Sequence, residues 1–136
     1  MPSATDTGYT LSGTTSLGFD EAVARVRETL AEEGFGVLTE IDVQATLRAK
    51  LGEEVPPYLI LGACNPPYAH RALQTEPELG TLLPCNVVVY EDGGETRVSA
   101  VDPKAMLGIV GNEALDPVAA EIREKVERAV AKVWEA

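Results

Sequence analysis

Two consecutive glycines, Gly93-Gly94, held between Val87-Val88-Val89-Tyr90 and Thr96-Arg97-Val98-Ser99-Ala100-Val101, constrain this chain more than any other feature. Glycine adopts positive φ without steric cost, and a glycine pair between β-branched runs reads as the turn of a β-hairpin. Two antiparallel neighbours are thereby set. The rest of the chain must extend that sheet and cover it.

The run Tyr58-Leu59-Ile60-Leu61-Gly62-Ala63-Cys64 follows a Pro56-Pro57 break and is almost wholly apolar, as a central strand requires. Residues 8–15 and Phe35 to Ile41 read as two further strands. Phe19, Ala22, Val23, Val26 and Leu30 recur at helical spacing, with Asp20 and Glu21 in the first turn and Gly34 as the stop. Asp42 caps a short helix through Val43, Leu47 and Leu51, closed by Gly52. Asn65-Pro66 has the chemistry of an N-cap followed by proline at the first helical position. Thr75 and Glu78 have capping-box spacing for another helical turn through Leu82, and Lys104 to Leu107 fits one turn after Asp102-Pro103. Asp116-Pro117 opens a last helix with Val118, Ile122, Val126, Ala129, Val130 and Val133 on one side. The pairs Glu121/Lys125 and Glu124/Arg128 are expected to bridge along its wet face.

The order predicts an α+β fold, an antiparallel or mixed sheet with two long helices packed on one face and short helices between strands. A single domain over residues 1–136 is expected, with residues 1–7 as a disordered leader. Alternating βαβ units with a glycine-rich phosphate turn are absent, and Gly108-Ile109-Val110-Gly111 lacks the spacing of nucleotide fingerprints.

Composition excludes several function classes. A formal charge of −11 repels nucleic acid and anionic membranes, and 5% aromatics leave little to stack on bases. The first residues lack a basic start and an apolar run, and no stretch approaches a membrane span, so a cytoplasmic location is expected. In that compartment two cysteines read as thiols, small core residues or ligands before they read as a structural disulfide.

Both cysteines lie in Cys-Asn steps, Gly62-Ala63-Cys64-Asn65-Pro66 and Leu83-Pro84-Cys85-Asn86-Val87, and the one histidine, His70, lies between them. Cys64 ends a strand beside an expected helix start, a setting that can stabilise a thiolate. If the two strands are neighbours, both sulfurs reach one end of the sheet. With His70 they would form a soft set for Cu(I), Zn(II) or haem iron, or a dithiol pair. Against this, the spacing is no recognised zinc pattern, and free cysteine is among the most buried side chains. For Asn65 the plainer role is a cap, and for His70 an exposed helix position. Asn86, after a proline at a strand start, either holds a loop or borders a small-molecule pocket. Glu40 and Asp42 point the same way at a strand end; acid/base or metal use competes with the plainer reading that Asp42 caps a helix and Glu40 is solvated.

Taken in order, Gly34-Phe35-Gly36-Val37-Leu38-Thr39-Glu40-Ile41-Asp42, Leu61-Gly62-Ala63-Cys64-Asn65-Pro66, Leu82-Leu83-Pro84-Cys85-Asn86-Val87 and Val101-Asp102-Pro103 resemble the family catalogued as domain of unknown function 302, over roughly residues 8 to 134. The resemblance implies a β-α-β(4)-α fold, comparable in layout with half of a TATA-binding protein, and a homodimer. It implies no DNA binding and carries no catalytic role, since a shared fold leaves function open. It marks positions: Glu40, Asp42, Cys64, Asn65, Pro66, Pro84, Cys85, Asn86, Asp102 and Pro103.

Three readings follow. One is a homodimeric small-ligand-binding or interaction module with Cys64, Asn65, Pro66, Cys85 and Asn86 at its site. Another is a thiol redox or metal- or haem-binding protein using Cys64, Cys85 and His70. The third is a purely structural dimer module. No catalytic constellation is evident, and one histidine leaves any triad with a single possible base.

Overall fold

The structure, a computed structural model, describes residues 7–136. The expected leader lies outside these residues except for Thr7, whose Oγ1 accepts from the amide of Thr10 at 3.0 Å. Elements run β1 (Thr10–Thr15), α1 (Phe19–Glu32), β2 (Gly36–Asp42), α2 (Val43–Leu51), β3 (Tyr58–Cys64), α3 (Pro66–Thr75), a 3-10 helix (Pro77–Leu82), β4 (Cys85–Asp92), β5 (Glu95–Val101), α4 (Pro103–Gly108), a 3-10 turn (Glu113–Leu115) and α5 (Asp116–Trp134).

The sheet has five strands in the order β1-β5-β4-β3-β2, and every pairing is antiparallel. The mixed alternative is thus resolved in favour of a uniformly antiparallel sheet. Strands β2 to β5 follow one another as a meander, while α1 carries the chain from one edge strand to the other. The hairpin turns at Gly93 and Gly94, whose φ values of 59° and 84° only glycine adopts freely.

Period-two burial shows which face is covered. Leu59, Leu61 and Ala63 of β3 and Val87 and Val89 of β4 are buried beneath the helices, with Val98 and Ala100 of β5 beside them. On the helices, Ala22, Val26 and Leu30 of α1 and Val126, Val130 and Val133 of α5 are buried against them. Burying a Val or Leu side chain is worth about 1.5–3 kcal/mol, so this aliphatic layer dominates the stability of the fold. Trp134 closes one corner: its Nε1 donates to the carbonyl of Val98 at 2.9 Å, and a Cβ on Gly13 would stand 2.7 Å from the indole.

Several local expectations change. The first strand starts at Thr10, and Tyr9 is 64% exposed outside it. The helix α2 is capped by Asp42 Oδ1, which accepts from the amide of Ala45 at 2.9 Å, but it buries none of its residues and Leu51 is exposed. The turn after Thr75 is a 3-10 helix starting at Pro77 without a side-chain cap. The bridges expected along α5 go to other helices, because α5 packs between them: Glu121 pairs with Arg71 of α3 at 2.8 Å and Arg128 with Glu33 at 3.0 Å. Among the described residues, no helix is long and apolar enough to cross a membrane.

Candidate functional site

Register brings the two Cys-Asn steps together. Ala63 stands opposite Cys85 and Gly62 opposite Asn86, at the end of the sheet where β3 runs out and β4 begins. Close packing there depends on Gly62: a Cβ at this position would overlap Thr39 Oγ1 and come within 2.7 Å of Pro84. The Leu83–Pro84 peptide is cis.

Between this end of the sheet and α3, α4 and α5 lies a cavity of about 290 Å³. Cys64, Asn65 and Cys85 line it, with Phe35 from below and Leu73, Met106 and Ile122 from the helices. No charged side chain contributes, so the wall is aliphatic carbon, one aromatic ring and sulfur, with the Asn65 amide its chief polar group. A pocket of this kind, apolar with few polar groups, suits a small organic ligand.

Cys85 faces the helices and is buried, and burial together with the nearby Cys64 pushes its thiol up to about 11. It is therefore a neutral thiol at physiological pH, a poor nucleophile. Cys64 is half-buried, and both thiols are free. Cys64 lies one residue beyond Ala63, the partner of Cys85, and successive strand residues point to opposite faces. Both nonetheless border the same cavity, where Cys64 is near enough to add to the upward shift of Cys85.

The start of α3 offers a thiolate little. Its first two residues, Pro66 and Pro67, have no N–H, and the next two amides, of Tyr68 and Ala69, already donate to the carbonyl of Asn65 at 3.1 and 3.0 Å. That same arithmetic frees the Asn65 side chain. A cap side chain normally accepts from the second or third helical amide, and here the second is proline and the third is taken. Asn65 thus occupies the N-cap position without side-chain capping, and its Nδ2 instead donates to the carbonyl of Glu33 at 3.1 Å. Glu33 closes α1 just before Gly34, whose φ is 85° and where a Cβ would approach Asn65 Nδ2 to 3.3 Å. The hydrogen bond from Arg128 holds the Glu33 carboxyl below its ordinary value, against the opposing effect of burial.

Other sequence candidates fall elsewhere. His70 is exposed on α3 and does not line the cavity, and among the described residues no three His, Cys, Asp or Glu side chains gather as metal ligands. The set Cys64, His70, Cys85 is thus not assembled. Pro66 is exposed, and Asn86 sits on the opposite face of the sheet, bordering a separate hollow with Tyr58 and Tyr90. Glu40 and Asp42 share the helix-side face, as their spacing requires, but Glu40 pairs with Arg27 at 2.9 Å rather than standing free. Asp102 caps α4, its Oδ1 accepting from the amide of Lys104 at 2.9 Å, and its Oδ2 accepts from Arg123 at 3.3 Å. This cap positions the helix that carries Met106, a cavity residue sequence reasoning missed; the Asp102-Pro103 step was its one available signal.

The family described as Domain of unknown function DUF302 matches residues 11–133. Among solved structures, the crystal structure of an uncharacterized conserved protein DUF302 from Bacillus stearothermophilus superposes with a TM-score of 0.87 at 32% identity, covering 91% of this chain and 97% of that one. No curated protein matches the chain in sequence.

Proposed function

We propose, for a chain that belongs to the DUF302 family, a family defined without an assigned activity, that the protein is a homodimeric binder of a small, uncharged, mainly apolar molecule. The observation that carries this reading is the cavity at the junction of the two Cys-Asn steps, about 290 Å³ with no charged side chain on its wall. That volume is roughly twice the ~150 Å³ engineered cavity that takes up benzene, and so admits a bicyclic ring or a medium-length alkyl chain. The Asn65 amide and the neutral Cys85 thiol give such a ligand a polar foothold without a charge to desolvate. Leu38 and Leu73, both on the lining, are exposed and extend the apolar wall outward.

Native mass spectrometry with elemental analysis of freshly purified protein tests this directly. A retained organic mass, or a melting shift with neutral aromatic and alkyl probes that disappears in Ala69→Trp, is the expected result. No retained species and no shift across the probes would overturn it.

A second reading is favoured by one observation: Cys64, Cys85 and Met106 place three sulfurs on the wall of one cavity. Soft sulfur donors suit Cu(I), with His70 outside the set. Stoichiometric copper in the elemental analysis would select this reading over the organic ligand.

A further inference from the structure

The side-chain amide of Asn65 has two polar ends, and the protein pairs one of them. Its Nδ2 donates to the carbonyl of Glu33 at 3.1 Å, which settles how the amide is turned, because only the nitrogen end can face a carbonyl. Its Oδ1 accepts no hydrogen bond among the described residues. The cause lies in the sequence. Of the helical amides that an N-cap oxygen ordinarily takes, one is missing at Pro67 and the next, at Tyr68, already donates to the Asn65 carbonyl.

The unpaired end is not sealed in the core. Among the described residues no enclosed side-chain nitrogen or oxygen lacks a partner, so an unpaired Oδ1 borders open space. Asn65 is 8% exposed, and the space it lines is the cavity. Glu33 and Gly34, toward which the nitrogen is turned, are not on that lining. The other polar side-chain atoms on the wall are the sulfurs of Cys64, Cys85 and Met106, all weak hydrogen-bonding groups. One strong acceptor therefore stands on an otherwise apolar wall.

We infer that the cavity selects its ligand by a hydrogen-bond donor: the occupant is a neutral aromatic or alkyl molecule carrying one O–H or N–H, seated on Asn65 Oδ1. This rests on the reading of the cavity as a small-molecule site and adds to it the polarity of the ligand. A phenol, an alcohol or an indole-type N–H pairs the oxygen in surroundings of low dielectric, where a hydrogen bond is stronger than in water. An ether or hydrocarbon of the same shape excludes water from the oxygen and leaves it unpaired, the more costly outcome. Asparagine suits both duties. Aspartate would set a charge against the Glu33 carbonyl, and leucine would offer neither donor nor acceptor.

Titration calorimetry with matched probes tests the assignment, pairing indole with benzofuran and naphthol with methylnaphthalene, on wild type, Asn65→Leu and Ala69→Trp. The donor-free member of each pair is the more apolar, so a cavity that reads hydrophobicity alone prefers it. The expected result is the reverse: indole and naphthol bind wild type at least about tenfold more tightly than their partners, as for a donor lost at a buried acceptor. That preference should disappear in Asn65→Leu, and all binding in Ala69→Trp. Equal affinities within each pair, tighter binding of the donor-free members, or a preference that survives Asn65→Leu overturns the assignment while leaving the cavity a small-molecule site. Binding of none of the four probes removes both, and binding that persists in Ala69→Trp lies outside the cavity and overturns the assignment as well. If circular dichroism shows that Asn65→Leu does not fold, the Asn65 side-chain carbonyl carbon of wild type is followed by NMR: a larger downfield shift with indole than with benzofuran supports the bond, and equal shifts overturn it.

Discussion

The side-chain amide of Asn65 donates to the backbone carbonyl of Glu33 at 3.1 Å, tying the start of α3 to the end of α1 across the mouth of β3. The bond fixes one wall of the cavity to the helix layer. Asn65 is 8% exposed, and its bond to the Glu33 carbonyl is partly buried.

Asn65→Ala is expected to destabilise the fold by about 0.5–1.5 kcal/mol, the net worth of a typical hydrogen bond, since this one is only partly buried. Asn65→Asp should cost more, since a carboxylate then faces a carbonyl oxygen. Urea denaturation of the three proteins checks the order, and equal stabilities would show that the bond contributes nothing.

Stability should decline on the alkaline side because of Cys85. Its folded value of about 11 lies above its ordinary value of 9.0, so between these two pH values the unfolded chain loses the proton while the folded chain keeps it. Stability attributable to the neutral thiol is full below pH 9.0 and falls as pH rises toward 11, by at most about 3 kcal/mol. The difference between wild type and Cys85→Ala in denaturation midpoints across that window isolates it. Alkylation at pH 8 should also modify Cys85 at least about tenfold more slowly in the folded than in the unfolded protein.

The acid limb should respond to Glu33. Its carboxyl is held below the ordinary 4.5 by the hydrogen bond from Arg128, so the stability it supplies is present above 4.5 and is lost as pH falls through the lower folded value. Arg128→Ala should flatten that limb and cost little stability at neutral pH, because the guanidinium is half exposed and its ion pair is screened by water. Acid denaturation profiles of the two proteins provide the comparison.

Gly62→Ala should destabilise by about 1–3 kcal/mol through overpacking against Thr39 and Pro84. Adding Thr39→Ala should recover part of that loss and not all of it, since Pro84 remains within 2.7 Å of the new methyl. A double-mutant cycle measures the recovery; strict additivity would mean that Thr39 does not contest the space.

Local chemistry made much of the frame readable. Asp42 and Asp102 cap the helices their positions suggested, and Tyr58–Cys64 is a strand over the whole span its apolar run marked. Gly34 and Gly52 take the positive φ that ends α1 and α2. What escaped was decided by partners distant in sequence. The α5 acids and bases turned to Arg71 and Glu33 because α1 and α3 pack beside them, which periodicity along one helix does not reveal. The Asn65 amide was released by Pro67 and by an amide already satisfied, and it found its acceptor 32 residues earlier. The junction of the Cys-Asn steps was foreseeable from strand order. Its cavity was not, because Leu73, Met106 and Ile122 look like ordinary core positions until three helices leave a space between them.

The pairing of β1 with β5 joins residues 10–15 to residues 96–101, whereas β2 to β5 join neighbours in the chain. Closing so long a loop costs more entropy than turning a hairpin, so the four-stranded meander is the unit that can assemble first and the N-terminal strand the one that docks late. Until it docks, β5 offers a row of unpaired amides and carbonyls to any passing strand. Residues 10–15 therefore serve as a guard on β5 as much as a part of the sheet, and clipped chains lacking them should be the species prone to aggregate.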